Sequence, residues 1–441
     1  MNRVLQLLLM LAICFASFSA TAFACQTTPN DATPTDATPA DSTLTDATPT
    51  KTTPTDWTQW RGPNRDGTIS AEPWPESISE ENLTKLWSVQ LEPSYSGPIV
   101  VGDRVFSTET KNKKFEVTTA FDRETGKELW RAQWKGSLSV PFFAKSNGDW
   151  IRSTPAYDEG RLYVAGMRDV LICLNAETGA EIWKVDFPAQ LKSDVPSFGF
   201  VCSPLIDGDA VYVQAGGGFC KLNKKTGELI WRGAEVGGGM MGSAFSSPVI
   251  ETVAGQRMAI IQNRKDLCGV DLETGKTLWS IDIPTFRGMN IITPTIFNDS
   301  LFVSAYGGTS QLISVAKQTD GFSVKQSWNL PAQGYMTTPV VIDGHAYTHL
   351  RNQRMACYDL ANGKETWRTA PMGKYVSLIA NGDKILALDE RGELLLIRVN
   401  PKKYDLIDSR TVGDNSWAHV AIRGNQIFIR NLQELVAYQW K

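Results

Sequence analysis

The stretch Asp271–Trp279, DLETGKTLW, decides the fold, because close copies of it recur along the chain. DRETGKELW ends at Trp130, NAETGAEIW at Trp183, NKKTGELIW at Trp231 and DLANGKETW at Trp367. Each copy grows out of a short apolar run that closes on Asp or Asn: VTTAFD, VLICLN, GFCKLN, DLCGVD and RMACYD. Runs of this length and composition read as strands, and the Gly supplies the positive φ that a tight hairpin requires. The Trp then falls on the next strand. A turn that recurs in this way implies an architecture that recurs.

A second signature lies upstream in each unit: a small residue, Pro, an apolar run, a turn and another strand. It reads GPIVVGDRVF from Gly97, TPAYDEGRLYV from Thr154, SPLIDGDAVYV from Ser203, SPVIETVAGQRMAII from Ser247, TPTIFNDSLFV from Thr293 and TPVVIDGHAYT from Thr338. VSLIANGDKILAL from Val376 and AHVAIRGNQIFIR from Ala418 are degenerate copies without the Thr-Gly-x-x-x-Trp turn, and the fifth unit carries a longer insertion, QTDGFSVKQSW, before Trp328. The eight units start roughly 40 to 60 residues apart. Antiparallel units of that length bury their faces against neighbouring copies, which predicts the blades of a β-propeller. The last unit stops after its third strand, at Trp440, while KLWSVQL around Trp87 precedes the first complete unit. The N-terminal strand is therefore expected to complete the last blade and close the ring.

The small-residue-Pro signature together with A-x-D-x-x-T-G-x-x-x-W resembles the PQQ-like repeat of quinoprotein-like eight-bladed propellers, over roughly residues 87 to 440. That family includes dehydrogenases dependent on pyrroloquinoline quinone (PQQ) and the non-enzymatic outer-membrane assembly lipoprotein BamB. WTQWRGPNRDG, Trp57–Gly67, also resembles the opening of secreted propellers from Planctomycetes. The resemblance implies an all-β fold in which Trp130, Trp183, Trp231, Trp279 and Trp367 pack between blades. The enzymes of the family set an adjacent Cys-Cys disulfide against the quinone, with Glu, Asn and Asp around Ca²⁺. This chain has no Cys-Cys pair. Cys173, Cys220, Cys268 and Cys357 fall in apolar strands, where a lone Cys acts as a small hydrophobe, and Cys202 precedes a Ser-Pro. Five such residues leave at least one thiol unpaired, and Cys202 with Cys220 is the internal pair that the third blade suggests. His345, His349 and His419 form no zinc motif, and the first two read as surface or satisfied residues of one hairpin. No metal site and no cofactor are expected, PQQ and calcium staying open with the dehydrogenase alternative.

Composition narrows the partners. The 441 residues carry a formal net charge of -3, without the basic excess that neutralises nucleic-acid phosphates. Residues 1–24 read as a secretory signal peptide, with an early Arg, an apolar run from Leu7 to Phe18 and Ala22-Phe23-Ala24 before Cys25. Cleavage ahead of Cys25 with lipid attached to its thiol is one outcome. Ordinary cleavage, leaving a free thiol, is the other, since Ala22 stands where lipoprotein signals usually place Leu. Residues 25–56, rich in Thr, Pro and Asp, have too few apolar side chains to offset their conformational entropy and read as an extended disordered linker. A lead-in, 57–86, precedes the propeller, 87–441.

The segments between one blade's outer strand and the next blade's inner strand gather around one mouth of the channel. Here they carry Arg152, Phe198, Phe200, Met240, Met241, Phe245, Arg287, Met289, Asn290, Tyr335 and Met336. Adaptable apolar side chains with Arg among them suit a partner-binding surface. Gly216–Gly218 and Gly237–Gly239 form no phosphate loop, because no helix follows them. The sequence thus predicts an exported, non-catalytic scaffold that binds envelope proteins, periplasmic, outer-membrane-associated or extracellular, and held to a membrane only through Cys25. A carbohydrate- or polymer-binding propeller and a PQQ-dependent dehydrogenase are the alternatives.

Overall fold

The computed structural model describes residues 56–242 and 244–441; the signal peptide, Cys25 and the linker as far as residue 55 lie outside the described residues. Among the described residues the strands form eight antiparallel sheets, one per sequence unit. Blades 1 to 7 span 99–135, 156–186, 205–233, 249–282, 295–330, 340–368 and 376–411. Blade 8 takes three strands from 421–440 and its outer strand from Leu83–Gln90, which pairs antiparallel with Glu434–Trp440. The ring therefore closes through the N-terminal strand. First strands of neighbouring blades touch around the axis, as between blades 1 and 2 and between blades 1 and 8.

The repeated turn explains itself in three dimensions. The Asp or Asn that opens it accepts backbone N–H groups two and three residues on: Asn175 Oδ1 takes Glu177 N and Thr178 N, each at 2.9 Å. The Gly adopts positive φ, 72° at Gly275, and it is also where the preceding blade's Trp lands. A Cβ on Gly275 would lie 2.7 Å from the Trp231 ring, and Gly126, Gly179, Gly227 and Gly363 stand likewise against Trp87, Trp130, Trp183 and Trp328. Each of these indoles donates to a carbonyl of the next blade, as Trp130 Nε1 does to Ala176 O at 3.0 Å. Trp and Gly are thus two halves of one joint between consecutive blades. Trp87 makes the joint from blade 8 to blade 1, with Nε1 2.9 Å from Arg123 O.

A bulge aims each Trp. The register between third and outer strands slips by one residue immediately before the Trp in seven blades. In blade 7 the slip precedes Asp408, which has no indole and instead accepts Ser77 Oγ and Ile78 N at 2.8 Å, anchoring the lead-in. The skipped residues Leu86, Leu129, Ile182 and Ile230 are turned outward and exposed, which accounts for four of the large exposed apolar side chains. Trp279 departs from the expected packing. Blade 5 offers it no Thr-Gly turn, so its indole turns to its own blade, 3.2 Å from Met258 Sδ, and Phe322 and Val324 of the longer blade 5 hairpin pack in the same cluster.

The small residue before each Pro also has a task. Its hydroxyl accepts the backbone N–H of the preceding blade: Gly97 N to Thr154 Oγ1, Thr154 N to Ser203 Oγ, Ser203 N to Ser247 Oγ, Ser247 N to Thr293 Oγ1 and Thr293 N to Thr338 Oγ1, at 2.9 to 3.1 Å. This chain of hydroxyls runs around the axis through blades 1 to 6.

The lead-in straps the ring on one face. Asp56 pairs with Arg423 of blade 8, Trp57 bridges Val100 of blade 1, Thr58 O accepts Tyr157 N of blade 2, and Thr68–Ile69 adds a parallel strand to blade 7. Arg65, buried, donates to Ser203 O, Pro204 O and Pro248 O, and Arg61 to Pro339 O. The five described cysteines are buried, free thiols, and this corrects the Cys202–Cys220 pairing: both sulfurs lie 3.5 Å from backbone carbonyls, of Gln214 and Ala215 respectively. His349 lies in the interior, which removes the surface alternative of its reading, and burial lowers its pKa to about 4.

Candidate functional site

Chain direction sends two sets of loops to the face away from the strap: the blade-to-blade connections and the hairpins between second and third strands. Every connection contributes an aromatic side chain: Tyr95, Phe143, Phe198, Phe245, Phe286, Tyr335, Tyr375 and Trp417, in ring order. Most touch their neighbours. Ring centroids are 4.6 Å apart for Tyr95–Trp417, 4.1 Å for Tyr375–Trp417, 5.6 Å for Tyr335–Tyr375 and 5.5 Å for Phe198–Phe245. Tyr306, from a blade 5 hairpin, links Phe286 to Tyr335.

Inside this collar lies a cavity of about 410 Å³, within the range of small-molecule sites. Its floor is Trp60 of the strap, with the Arg61 and Arg65 guanidinium groups 5.6 and 5.4 Å from that ring, and with His419 edge-on to it. Thr154, Ser203, Ser247, Thr293 and Thr338, the hydroxyls of the axial chain, line it lower down. Arg152, Arg264 and Arg287 line its walls, and no carboxylate does among the described residues. Arg61, Arg65, Arg152 and Arg264 all have lowered pKa values, about 10, 9, 10 and 10, because burial strips water from the cation. His419 is held neutral by burial, with a pKa of about 3.

Of the side chains expected at this mouth, Arg152, Phe198, Met240, Phe245, Arg287, Met289, Tyr335 and Met336 line the cavity. Met241 is exposed outside it. Phe200 and Asn290 are corrected, because both are buried: Phe200 packs on Phe187 in the core between blades 2 and 3, and Asn290 is 1% exposed. Sequence reading missed Trp60, Tyr95, Phe143, Arg264, Phe286, Tyr306, Tyr375, Trp417 and His419. The available signal was topological: in a four-stranded blade the hairpin between second and third strands returns to the same face as the connections, and Arg264 and Tyr306 lie on such hairpins.

Fold and site together define an eight-bladed propeller of PQQ-like repeats, strapped on one face and open on the other into an aromatic, arginine-lined cavity. The chain belongs to the family described as "Outer membrane protein assembly factor BamB", whose sequence profile matches residues 76–144 and 113–369. The outer membrane protein assembly factor BamB of Moranella endobia (strain PCIT) is 24% identical over 76% of this chain and 85% of its own length. Among solved structures, BamB from Moraxella catarrhalis superposes with a TM-score of 0.58 at 15% identity, covering 81% of this chain and 98% of that one. The quinohemoprotein alcohol dehydrogenase of Comamonas testosteroni gives 0.59 at 13% identity, covering 87% and 80%. These superpositions speak to fold alone.

The residues present do not fit a calcium-bound quinone. Calcium takes six to eight oxygen ligands with carboxylates prominent among them, whereas this cavity offers arginines and hydroxyls. Among the described residues no three His, Cys, Asp or Glu side chains gather to hold a metal.

Proposed function

We propose that this chain is an exported, non-catalytic scaffold that engages other proteins of the cell envelope through the collar face, as the name of its relatives, outer-membrane assembly factors, suggests. The observation that carries this reading is the concentration of exposed apolar side chains there: Phe142, Phe143, Met240, Met241 and Phe286 are 85, 52, 46, 43 and 49% exposed. Exposed apolar side chains on three of the connections, around a cationic mouth, have the composition of a partner surface rather than of ordinary solvated loops. Residues 1–24 act as the export signal, residues 25–56 as the spacer, and Cys25 as the point of lipid attachment; intact mass of the mature protein from its native envelope tests the last. The test of the scaffold is crosslinking in that envelope, comparing wild type with a Phe143→Ser/Met241→Ser/Phe286→Ser variant. Loss of specific envelope proteins from the variant is the expected result, and an unchanged set would remove this face from consideration.

The run of touching rings Tyr335–Tyr375–Trp417–Tyr95 favours a second reading, a platform for carbohydrate or another polymer. Glycan binding that is lost in Tyr335→Ala would establish it.

A further inference from the structure

We propose that the sector of the collar face made by blades 1 and 2 docks on an anionic lipid surface, with Phe142 and Phe143 entering the bilayer boundary and a cluster of basic side chains meeting the headgroups. The inference goes beyond the scaffold reading and does not rest on it, since Met240, Met241 and Phe286 lie on other connections. Phe142 is the most exposed large apolar side chain among the described residues. It opens a single helical turn, Phe142–Asn147, none of whose residues is buried, and its ring meets that of Phe143 edge-on at 5.6 Å. The backbone beneath is pinned at both ends. At its start Ser137 Oγ donates to Lys113 O at 2.6 Å and Gly136 N to Lys114 O at 3.2 Å, which seats the connection on the blade 1 hairpin. At its end Arg152 donates to Gly148 O at 3.1 Å and to Trp150 O at 3.2 Å. The exposure of Phe142 is therefore set by the fold and not by fraying.

Charge gathers around these rings. The blade 1 hairpin carries Lys111, Lys113 and Lys114, the outer strand beside it ends on Lys135, the helical turn itself holds Lys145, and the blade 2 hairpin presents Arg168. All but the half-buried Lys111 are exposed. The acids of the same two hairpins, Glu116 and Asp169, are buried, which leaves Glu92, Asp149 and Asp186 as the outward carboxylates of these loops. Lys113 also stands where glycine would be relaxed. Asn112 and Lys113 take φ of 54° and 50° in succession, a pair of conformations for which Asn-Gly is the usual choice. Sequence alone leaves membrane contact to Cys25, because these cations lie on separate segments of a chain whose net charge is -3.

Projecting rings with lysines at their flanks suit a lipid surface better than an acidic protein. A protein partner needs a pocket matched to Phe142, whereas the acyl boundary receives any apolar ring, and the long lysine stems let each ammonium reach phosphates at its own depth. Interfacial binding adds the two contributions, buried apolar area and attraction to anionic lipid, and this sector supplies both.

The experiment is flotation of the intact protein, carrying Cys25→Ser so that no lipid at that thiol contributes, with vesicles of phosphatidylethanolamine and phosphatidylglycerol and with vesicles of phosphatidylcholine alone. The protein should float with the anionic vesicles, come off them in high salt, and bind the neutral ones at least about tenfold more weakly. Lys113→Ser and Lys114→Ser should each weaken binding to anionic vesicles roughly fivefold, and Phe142→Ser about tenfold or more. An environment-sensitive dye on Phe142→Cys should brighten and shift to the blue on anionic vesicles; the five described native thiols are buried and leave the label its site. No flotation with anionic vesicles, equal flotation with neutral ones, binding unchanged in Phe142→Ser, or an unshifted dye would each overturn the proposal. Polyglutamate bound more tightly than the anionic vesicles at equal charge would also overturn it, and would give the lysines to an acidic protein surface. These assays contain no other protein, so their failure leaves the crosslinking test of the scaffold untouched.

Discussion

At the scale of the residue, each repeated letter has a mechanical reason that can be tested singly. Gly275→Ala combines positive φ with a collision against Trp231, so it should cost several kcal/mol, roughly 3 or more; Gly424→Ala, at φ 58° with nothing within 4 Å, should cost only about 1. Equal losses in denaturant unfolding would mean that the indole moves aside freely. Ser247→Ala removes the acceptor of Ser203 N and should cost about 1 to 3 kcal/mol, the penalty of a buried unpaired N–H. Phe200→Ala should open a cavity and cost about 3 to 5 kcal/mol, whereas Met241→Ala, at the exposed rim, should be nearly neutral. Phe200 and Met241 look alike as letters in a loop. What separates them is which side of the connection faces the core, and alternation cannot be read in a segment with irregular backbone.

At the scale of the element, the joint between blades 1, 2 and 3 contains two buried acids. Glu116 accepts Trp134 Nε1 and Met167 N, Asp169 accepts Gly216 N, and burial raises both to about 7 from ordinary values of 4.5 and 3.8. An acid that holds its proton more tightly when folded gives stability that is fully present below its unfolded pKa and is lost as pH climbs to its folded one. These two groups therefore destabilise the ring progressively between about pH 4 and 7, with no further change above. Asp169→Asn should flatten the pH dependence of Tm across that window relative to wild type, and an unaltered slope would show that Asp169 titrates normally. The blades themselves were legible because each advertises its strands, turn and Trp. Trp279 was misjudged because its packing depends on the next blade's turn, 45 residues or so downstream, so the departure lies in a pair of units rather than in either one.

At the scale of the molecule, the strap was the least legible feature. WTQWRGPNRDG has no periodicity and nothing in it singles out its arginines, yet Arg61 and Arg65 are buried and bond to carbonyls at the Pro signatures of blades 3, 4 and 6. Their partners are backbone atoms, which leave no trace in the sequence. Arg65→Ala would strand the carbonyls of Ser203, Pro204 and Pro248 and should cost about 3 to 5 kcal/mol, as for other broken buried networks; a loss under about 1 would show that water replaces the guanidinium without penalty. The cavity shares this origin. Its collar is made by all eight connections, so the candidate site was visible as scattered Met, Phe and Arg letters, while Arg264 became visible only once the hairpins were placed on the same face.

The pairing of Leu83–Gln90 with Glu434–Trp440 also orders events in time. A chain leaving a ribosome or a translocation pore makes this closing strand some 340 residues before that strand's partner. Until residue 440 arrives, Leu83–Gln90 has no ladder to join, and blade 8 presents an open edge. Completion of the ring thus waits on Glu434–Trp440, and a chain halted just before Glu434 should be retained by chaperones or aggregate through that edge, although it carries seven complete blades.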